Sequence, residues 1–312
     1  MNFPALLAIL LPALAYGFSP LLSLERCPSL RLSATNSDQD PVSTQASSRR
    51  DFFQSLASTV ALGAVFSQAY PQVSNAEEVT SKSKMLVLGG TGFVGSRVVQ
   101  QLQDRGYSVI STSRDGRDGT VQFDATSSTD VTKQIEQLSQ GCSAVISCIG
   151  SIGTPNDQTV NSATGLAAAG AKAAGVDRFV YIAVAPEVKE WAQDFEFVKP
   201  YMVGKSFSMD AVTSNFGSNS VLIEPTFIHG GDKFQVNPPR VAGFYGSFIE
   251  GLLSSAPFRA ATNIAPEGFI KIALEPPISV DAVASAAVAG ALGKAMPVLD
   301  TYDKIQQAAA SL

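Results

Sequence analysis

A doubly wound parallel α/β sheet with a small C-terminal lobe is the fold predicted by three observations. From Lys84 onward, short apolar runs alternate with helical segments of roughly ten to fifteen residues, the pattern of strands covered on both faces by crossover helices. The first run ends in Gly89-Gly90-Thr91-Gly92-Phe93-Val94-Gly95, and a helical pattern follows at once. The 312 residues are 45% hydrophobic and only 16% charged, which supplies a sizeable core and excludes general disorder.

The elements follow in order. Residues 85–88 form a buried strand, and 93–105 a helix with Val94, Val98 and Leu102 on one face and Gly106 at its end. Strands are predicted at 108–112 and 121–123, a helix near 131–138, and a strand at 144–148. An Ala-rich helix over 160–174 leads to a strand at 178–183, and a helix near 201–214 to a strand at 220–223. Residues 230–279 are punctuated by Pro and Gly, with one helical stretch near 241–253, and form the main part of a substrate-covering lobe. A small-residue helix over 282–292 follows, with Asp281 at its N-cap position.

The glycine loop implies a nucleotide. It joins a strand to a helix, the context in which such a motif binds pyrophosphate. Gly89 makes the tight turn, Gly92 lets backbone N–H groups approach phosphate, and Gly95 permits close helix–strand packing, with Thr91, Phe93 and Val94 completing the cradle. This is the loop of a Rossmann domain. Arg114 follows Gly95 at close to the expected distance of about 20 residues, where an acidic residue would select NAD and an arginine NADP. A guanidinium suits a 2′-phosphate, so NADPH is expected, with Ser113 adding a hydroxyl and Arg117 assisting. Asp124, after the third strand, is placed to meet adenine, and Cys148 and Gly150, after the fourth, to lie under the cofactor. Nothing basic near Cys148 suggests a reactive thiol.

The phosphate loop, Arg114, Asn161, Gly175-Val176-Asp177-Arg178-Phe179-Val180-Tyr181, Tyr201, Lys205, Pro225 and Val280-Asp281 together resemble the atypical or extended short-chain dehydrogenases/reductases, NAD(P)-binding Rossmann proteins of the epimerase/dehydratase kind. The resemblance covers essentially 84–312. Within that group the chain is most similar to the branch of the nucleotide-binding accessory subunit of mitochondrial complex I, a ubiquinone-biosynthesis-associated member and chloroplast plastoglobule-associated plant proteins. Val145-Ile146-Ser147-Cys148-Ile149-Gly150 and Phe227-Ile228-His229-Gly230 look especially like the plant proteins.

The resemblance implies that Tyr201 and Lys205, four apart on one helix face, are the catalytic pair: tyrosine moves the proton, and lysine stabilises phenolate and holds the ribose. It also exposes a gap. The family's Ser or Thr after the fifth strand is replaced by Ala183, Val184 and Ala185. Losing one such donor costs about 10²–10³ in rate. Glu224 also stands where the family often has arginine. His229 lies after the sixth strand, where a lone histidine is more often a packed loop residue.

Two functions therefore stay open. One is an NADPH-dependent oxidoreductase of the plastid acting on a hydrophobic carbonyl or quinone. The other is a non-catalytic nucleotide-binding protein that assembles or stabilises a membrane-associated complex of the thylakoid or plastoglobule. Nucleic acid is excluded as a partner by a net charge of −5 and a pI near 5.0. Three cysteines and one histidine give neither a disulfide framework nor a multi-histidine metal site.

Residues 1–76 read as an address. Residues 1–17 carry a short apolar run and a small-residue exit before Phe18, a signal peptide lacking the usual positive start. Residues 18–76 read as a transit peptide containing Arg49-Arg50, an apolar stretch over 56–66 and Ser74-Asn75-Ala76, the organisation of a twin-arginine thylakoid signal. Such a series resembles the bipartite plastid leader of algae with secondary plastids, and leaves stroma, thylakoid membrane and lumen as destinations.

Overall fold

A computed structural model describes residues 82–128, 130–192, 195–231, 243–264 and 269–312. The leader readings for 1–17 and 18–76 lie outside the described residues. Among the described residues no helix is long and apolar enough to cross a membrane.

Seven strands form one sheet: β1 (Lys82–Leu88), β2 (Tyr107–Ser113), β3 (Val121–Gln122), β4 (Cys142–Ser147), β5 (Arg178–Ile182), β6 (Ser220–Ile223) and β9 (Val298–Leu299). Their order is β3-β2-β1-β4-β5-β6-β9, and every pairing is parallel. The order reverses beside β1, so the chain winds first to one edge and then to the other, the Rossmann arrangement. Two further strands, β7 (Ile228–His229) and β8 (Ile278–Ser279), pair with each other apart from the main sheet.

Alternation along the strands divides the core into two layers. Met85, Val87, Ala144, Ile146, Val180, Val221 and Ile223 face one side. There they meet α1 (Gly95–Asp104), α9 (Val280–Ala291) and α10 (Tyr302–Ala310) through Val98, Leu102, Val283, Ala287 and Ile305. Leu86, Leu88, Val145, Phe179, Tyr181 and Leu222 face the other. Their partners come from α2 (Val131–Leu138), α3 (Asp157–Ala173) and α5 (Lys199–Phe216). Burial on both faces is why these strands read as continuous apolar runs.

The Ala-rich composition of α3 follows from its approach to α5. A Cβ on Gly204 of α5 would fall 2.7 Å from Asn161 Cβ and 2.8 Å from the Gln158 carbonyl oxygen of α3, and one on Gly165 would meet the Phe207 ring at 2.7 Å. Larger side chains would force the two helices apart.

Besides the short strands β7, β8 and β9, which the sequence reading does not contain, the structure differs from it in three helical features. Ser279, not Asp281, caps α9: its Oγ accepts from the Ala282 N–H at 3.1 Å, while Asp281 sits in the first turn and pairs with Arg97 at 3.4 Å. Both residue types cap well, and the cap goes to the one holding extended backbone. The 230–279 segment carries three helices where the sequence predicts one: α6 (Gly243–Leu253), α7 (Ala256–Ile264) and α8 (Phe269–Leu274). A short α4 (Pro186–Ala192) was also missed; it opens on a proline that reads as punctuation but is tolerated in a first turn.

Candidate functional site

The site forms where the sheet order reverses, between the C-terminal ends of β1 and β4. The Cys148 N–H donates to the Leu88 carbonyl at 2.9 Å, holding the two strand ends side by side. From there the glycine loop turns away with Gly89 at φ +73°, a conformation open to glycine at little cost. The Gly92 N–H closes the turn on the Gly89 carbonyl at 2.9 Å. A Cβ at Gly95 would lie 2.2 Å from that same carbonyl oxygen, and one at Gly90 would lie 2.0 Å from Ser111 Oγ. Thr112 anchors the loop from β2: its Oγ1 accepts from the Gly89 N–H and its carbonyl from the Gly90 N–H. The loop is therefore preset at the N-terminus of α1, a ready position for a phosphate group.

Arg114 is exposed directly after β2. Arg117 reaches back to the loop, where its Nη2 donates to Thr91 Oγ1 at 3.4 Å. Ser113 is buried, with its hydroxyl 3.2 Å from Asp115 Oδ1 and 2.6 Å from Thr120 Oγ1, so it holds the turn that presents the two arginines. Asp124 turns its carboxylate onto its own chain: Oδ1 accepts from the Thr126 N–H and hydroxyl at 2.9 and 2.8 Å. Those bonds hold its carboxyl below the usual range.

Beyond the loop lies an apolar cavity of about 280 Å³. Gly92, Phe93, Val94, Cys148 and Gly150 line it from the glycine loop and the end of β4, and Tyr201 and Lys205 line it from α5. Val184, Val188, Trp191, Val198, Met202 and Phe227 make the rest largely hydrocarbon. Among the described residues no later residue than Ile228 lines it, so α6, α7 and α8 contribute nothing to its wall.

Lys205 is buried, and its Nζ donates to the Ile182 carbonyl oxygen at 2.8 Å. It stands 4.7 Å from the Tyr181 ring centre and 5.8 Å from that of Tyr201. Burial pushes its pKa down to about 7. Burial, with Asp157 adding to it, pushes the Tyr201 phenol well up. Cys148 is pushed up to about 12 by burial despite the nearby Lys205, which leaves it a packing thiol. Gly150 leaves room beside the lysine: a Cβ there would be 3.5 Å from Nζ and 3.4 Å from Asn161 Oδ1. That Asn161 oxygen is buried without a hydrogen-bond partner, while its Nδ2 donates to the Ser151 and Asp157 carbonyls at 2.7 Å each.

Residues 183–185 contribute no hydroxyl, as their sequence requires. His229 is not among the cavity's lining residues; its Nε2 is paired with Glu250 Oε2 at 2.7 Å, and Glu250 also accepts from Tyr302 Oη and Gln306 Nε2. The sequence reading missed Asp157. This buried carboxylate accepts from Ser151 Oγ, the Gly153 and Thr154 N–H groups and Thr154 Oγ1, fixing the loop between β4 and α3. Its signal was present as Thr154 three residues before Asp157.

Residues 89–238 match the family model described as NAD(P)H-binding. A protein of Arabidopsis thaliana described as uncharacterized and chloroplastic is 28% identical over 239 residues, covering 73% of this chain and 78% of its own length. Among solved structures, the Bordetella bronchiseptica enzyme WbmH in complex with NAD+ is similar at 18% identity and a TM-score of 0.48, over 70% of this chain and 74% of that one. The UDP-N-acetylglucosamine 4-epimerase of Bacillus cereus is similar at 15% identity and a TM-score of 0.44, over 68% and 75%. The family match begins at the phosphate loop itself and, with the strand order and the preset loop, supports a Rossmann-type α/β fold that binds a pyridine nucleotide.

Proposed function

We propose that this protein is an NADPH-dependent oxidoreductase of the plastid that reduces a hydrophobic carbonyl or quinone-type substrate. One observation carries the reading: Tyr201 and Lys205 share a single apolar cavity with Gly92, Phe93 and Val94 of the phosphate loop. When bound, the reduced cofactor supplies hydride. Tyr201, kept protonated by burial, donates a proton to the substrate oxygen. Lys205, partly neutral at pH 7 in the bare protein, takes up its proton beside a negatively charged nucleotide and then lowers the cost of phenolate. The hydrocarbon walls admit an apolar molecule and exclude water.

The choice of NADPH is supported by Arg114 and Arg117 on the turn after β2, two guanidinium groups suited to a 2′-phosphate. The chloroplastic relative and the plastid-type leader support the location. Titration with NADPH and NADH tests the cradle: NADPH is expected to bind more tightly, and Arg114→Ala to erase the difference. Equal affinity for both in the parent protein overturns the choice, and binding of neither overturns the reading. NADPH consumption with quinones and aldehydes then tests turnover.

A second reading is favoured by residues 183–185, where the usual substrate-binding hydroxyl is missing. In it, the protein holds its nucleotide as a structural part of a membrane-associated plastid complex and turns over nothing. NADPH binding without reduction of any such substrate selects this reading.

A further inference from the structure

The proposed reduction needs a donor for the substrate oxygen that leaves Tyr201 free to transfer its proton. Among the described cavity residues, three carry a hydroxyl: Ser151, Tyr201 and Thr226. Ser151 commits its one proton to Asp157 Oδ1 at 2.9 Å. Thr226 has no side-chain hydrogen-bond partner among the described residues. Its place in the fold compensates for the gap. The Ala183 N–H donates to the Ile223 carbonyl at 2.7 Å and the Ala185 N–H to the Pro225 carbonyl at 3.3 Å, so pairing continues past the ends of β5 and β6. Thr226 therefore lies one strand across from the segment that lacks a hydroxyl.

Thr226 also stands in the wall between two spaces. The second space is a void of about 10 Å³, whose lining includes Thr226, Glu224, Asp300 and Tyr302 together with Pro276, Ile278 and Ile305. It mixes polar and apolar groups and has room for about one water. A threonine hydroxyl can accept from a water on that side while donating its own proton on the other.

Resting on the oxidoreductase reading, we propose that Thr226 Oγ1 is the hydrogen-bond donor that polarises the substrate carbonyl, in place of the hydroxyl missing at 183–185. Hydride from NADPH forms the new C–H bond as the carbonyl π pair moves to oxygen. Tyr201 gives that oxygen a proton, and the cofactor leaves as NADP+. Thr226 transfers nothing; it stabilises the charge growing on oxygen.

The test compares the parent protein with Thr226→Val, which keeps the shape and removes the hydroxyl, and Thr226→Ser, which keeps the hydroxyl. NADPH affinity, melting temperature and the kcat and KM for NADPH-dependent reduction of menadione and a series of hydrophobic aldehydes are measured for each. The expected result is a loss of about 10²–10³ in kcat for Thr226→Val, with unchanged NADPH affinity and recovery in Thr226→Ser. Should the valine variant not fold, Thr226→Ala against Thr226→Ser makes the same comparison. Equal kcat in the parent and the hydroxyl-free variant overturns the role of Thr226 and leaves the oxidoreductase reading standing. A parent protein that binds NADPH and reduces none of these probes overturns that reading and this inference with it.

Discussion

The Ile182 carbonyl at the end of β5 accepts from Lys205 Nζ at 2.8 Å, so the strand that lacks the usual hydroxyl still fixes the lysine of the site. The Lys205 Nζ lies 5.8 Å from the centre of the Tyr201 ring, in the wall of a largely apolar cavity. Holding a cation there has a cost that depends on pH.

Burial lowers the pKa of Lys205 from 10.5 to about 7, so between these values the unfolded chain holds a proton that the folded one has released. Stability from this group therefore rises as pH goes from 7 toward 10.5, and the burden is complete below 7. Lys205→Met is expected to raise the melting temperature of the nucleotide-free protein most below pH 7, with the gap closing toward pH 10. A gap that does not change with pH would contradict this.

Glu224 gives the mirror case. It is only 4% exposed, and burial, reinforced by Asp300, raises its carboxyl to about 7. The unfolded chain ionises first, so stability falls as pH climbs from 4.5 to 7 and stays lowered above. Glu224→Gln, a copy of the neutral acid, is expected to melt higher than the parent at pH 8 and alongside it near pH 4. Melting curves at the two pH values decide it.

Tyr201→Phe separates the two functional readings. If the protein is an oxidoreductase, turnover falls by about 10²–10⁴ while NADPH affinity holds, because only the proton donor is lost. If it serves as a nucleotide-holding partner, complex assembly in cells carrying the variant is unchanged.

Gly95→Ala is expected to abolish nucleotide binding, because its Cβ would sit 2.2 Å from the Gly89 carbonyl oxygen and neither backbone segment can move without opening the loop. Gly251→Ala, in α6 with nothing within 4 Å of the added carbon, is expected to stabilise by about 1 kcal/mol. Isothermal titration and chemical denaturation of the pair measure both effects.

What could be read from the sequence was what is encoded locally. The phosphate loop and the order of strands through β6 were legible because glycine spacing and buried apolar runs are consecutive in the chain. The Tyr201–Lys205 pair was legible through its spacing on a helix and its resemblance to a family. Thr226 gave no signal, because its importance comes from lying beside Ala183–Ala185 across the sheet, a neighbour that no spacing reveals. The bonding of Glu250 to His229, Tyr302 and Gln306 was equally silent, since its members come from three separate elements. Strand β9, at two residues, is too short to show a period.

That short strand has a consequence for how the molecule is made. Every residue of β6 is buried, and its outer edge is covered by 297–299: the Leu222 N–H donates to the Pro297 carbonyl at 2.8 Å and the Glu224 N–H to the Leu299 carbonyl at 2.9 Å. A chain emerging from the ribosome has β1 to β6 in hand long before those residues arrive. Until they do, an apolar strand offers unpaired backbone to any neighbour, the situation that leads to edge-to-edge association. Copies that end before Pro297 are thus expected to expose the edge of β6, and residues 297–299 are what close it against association.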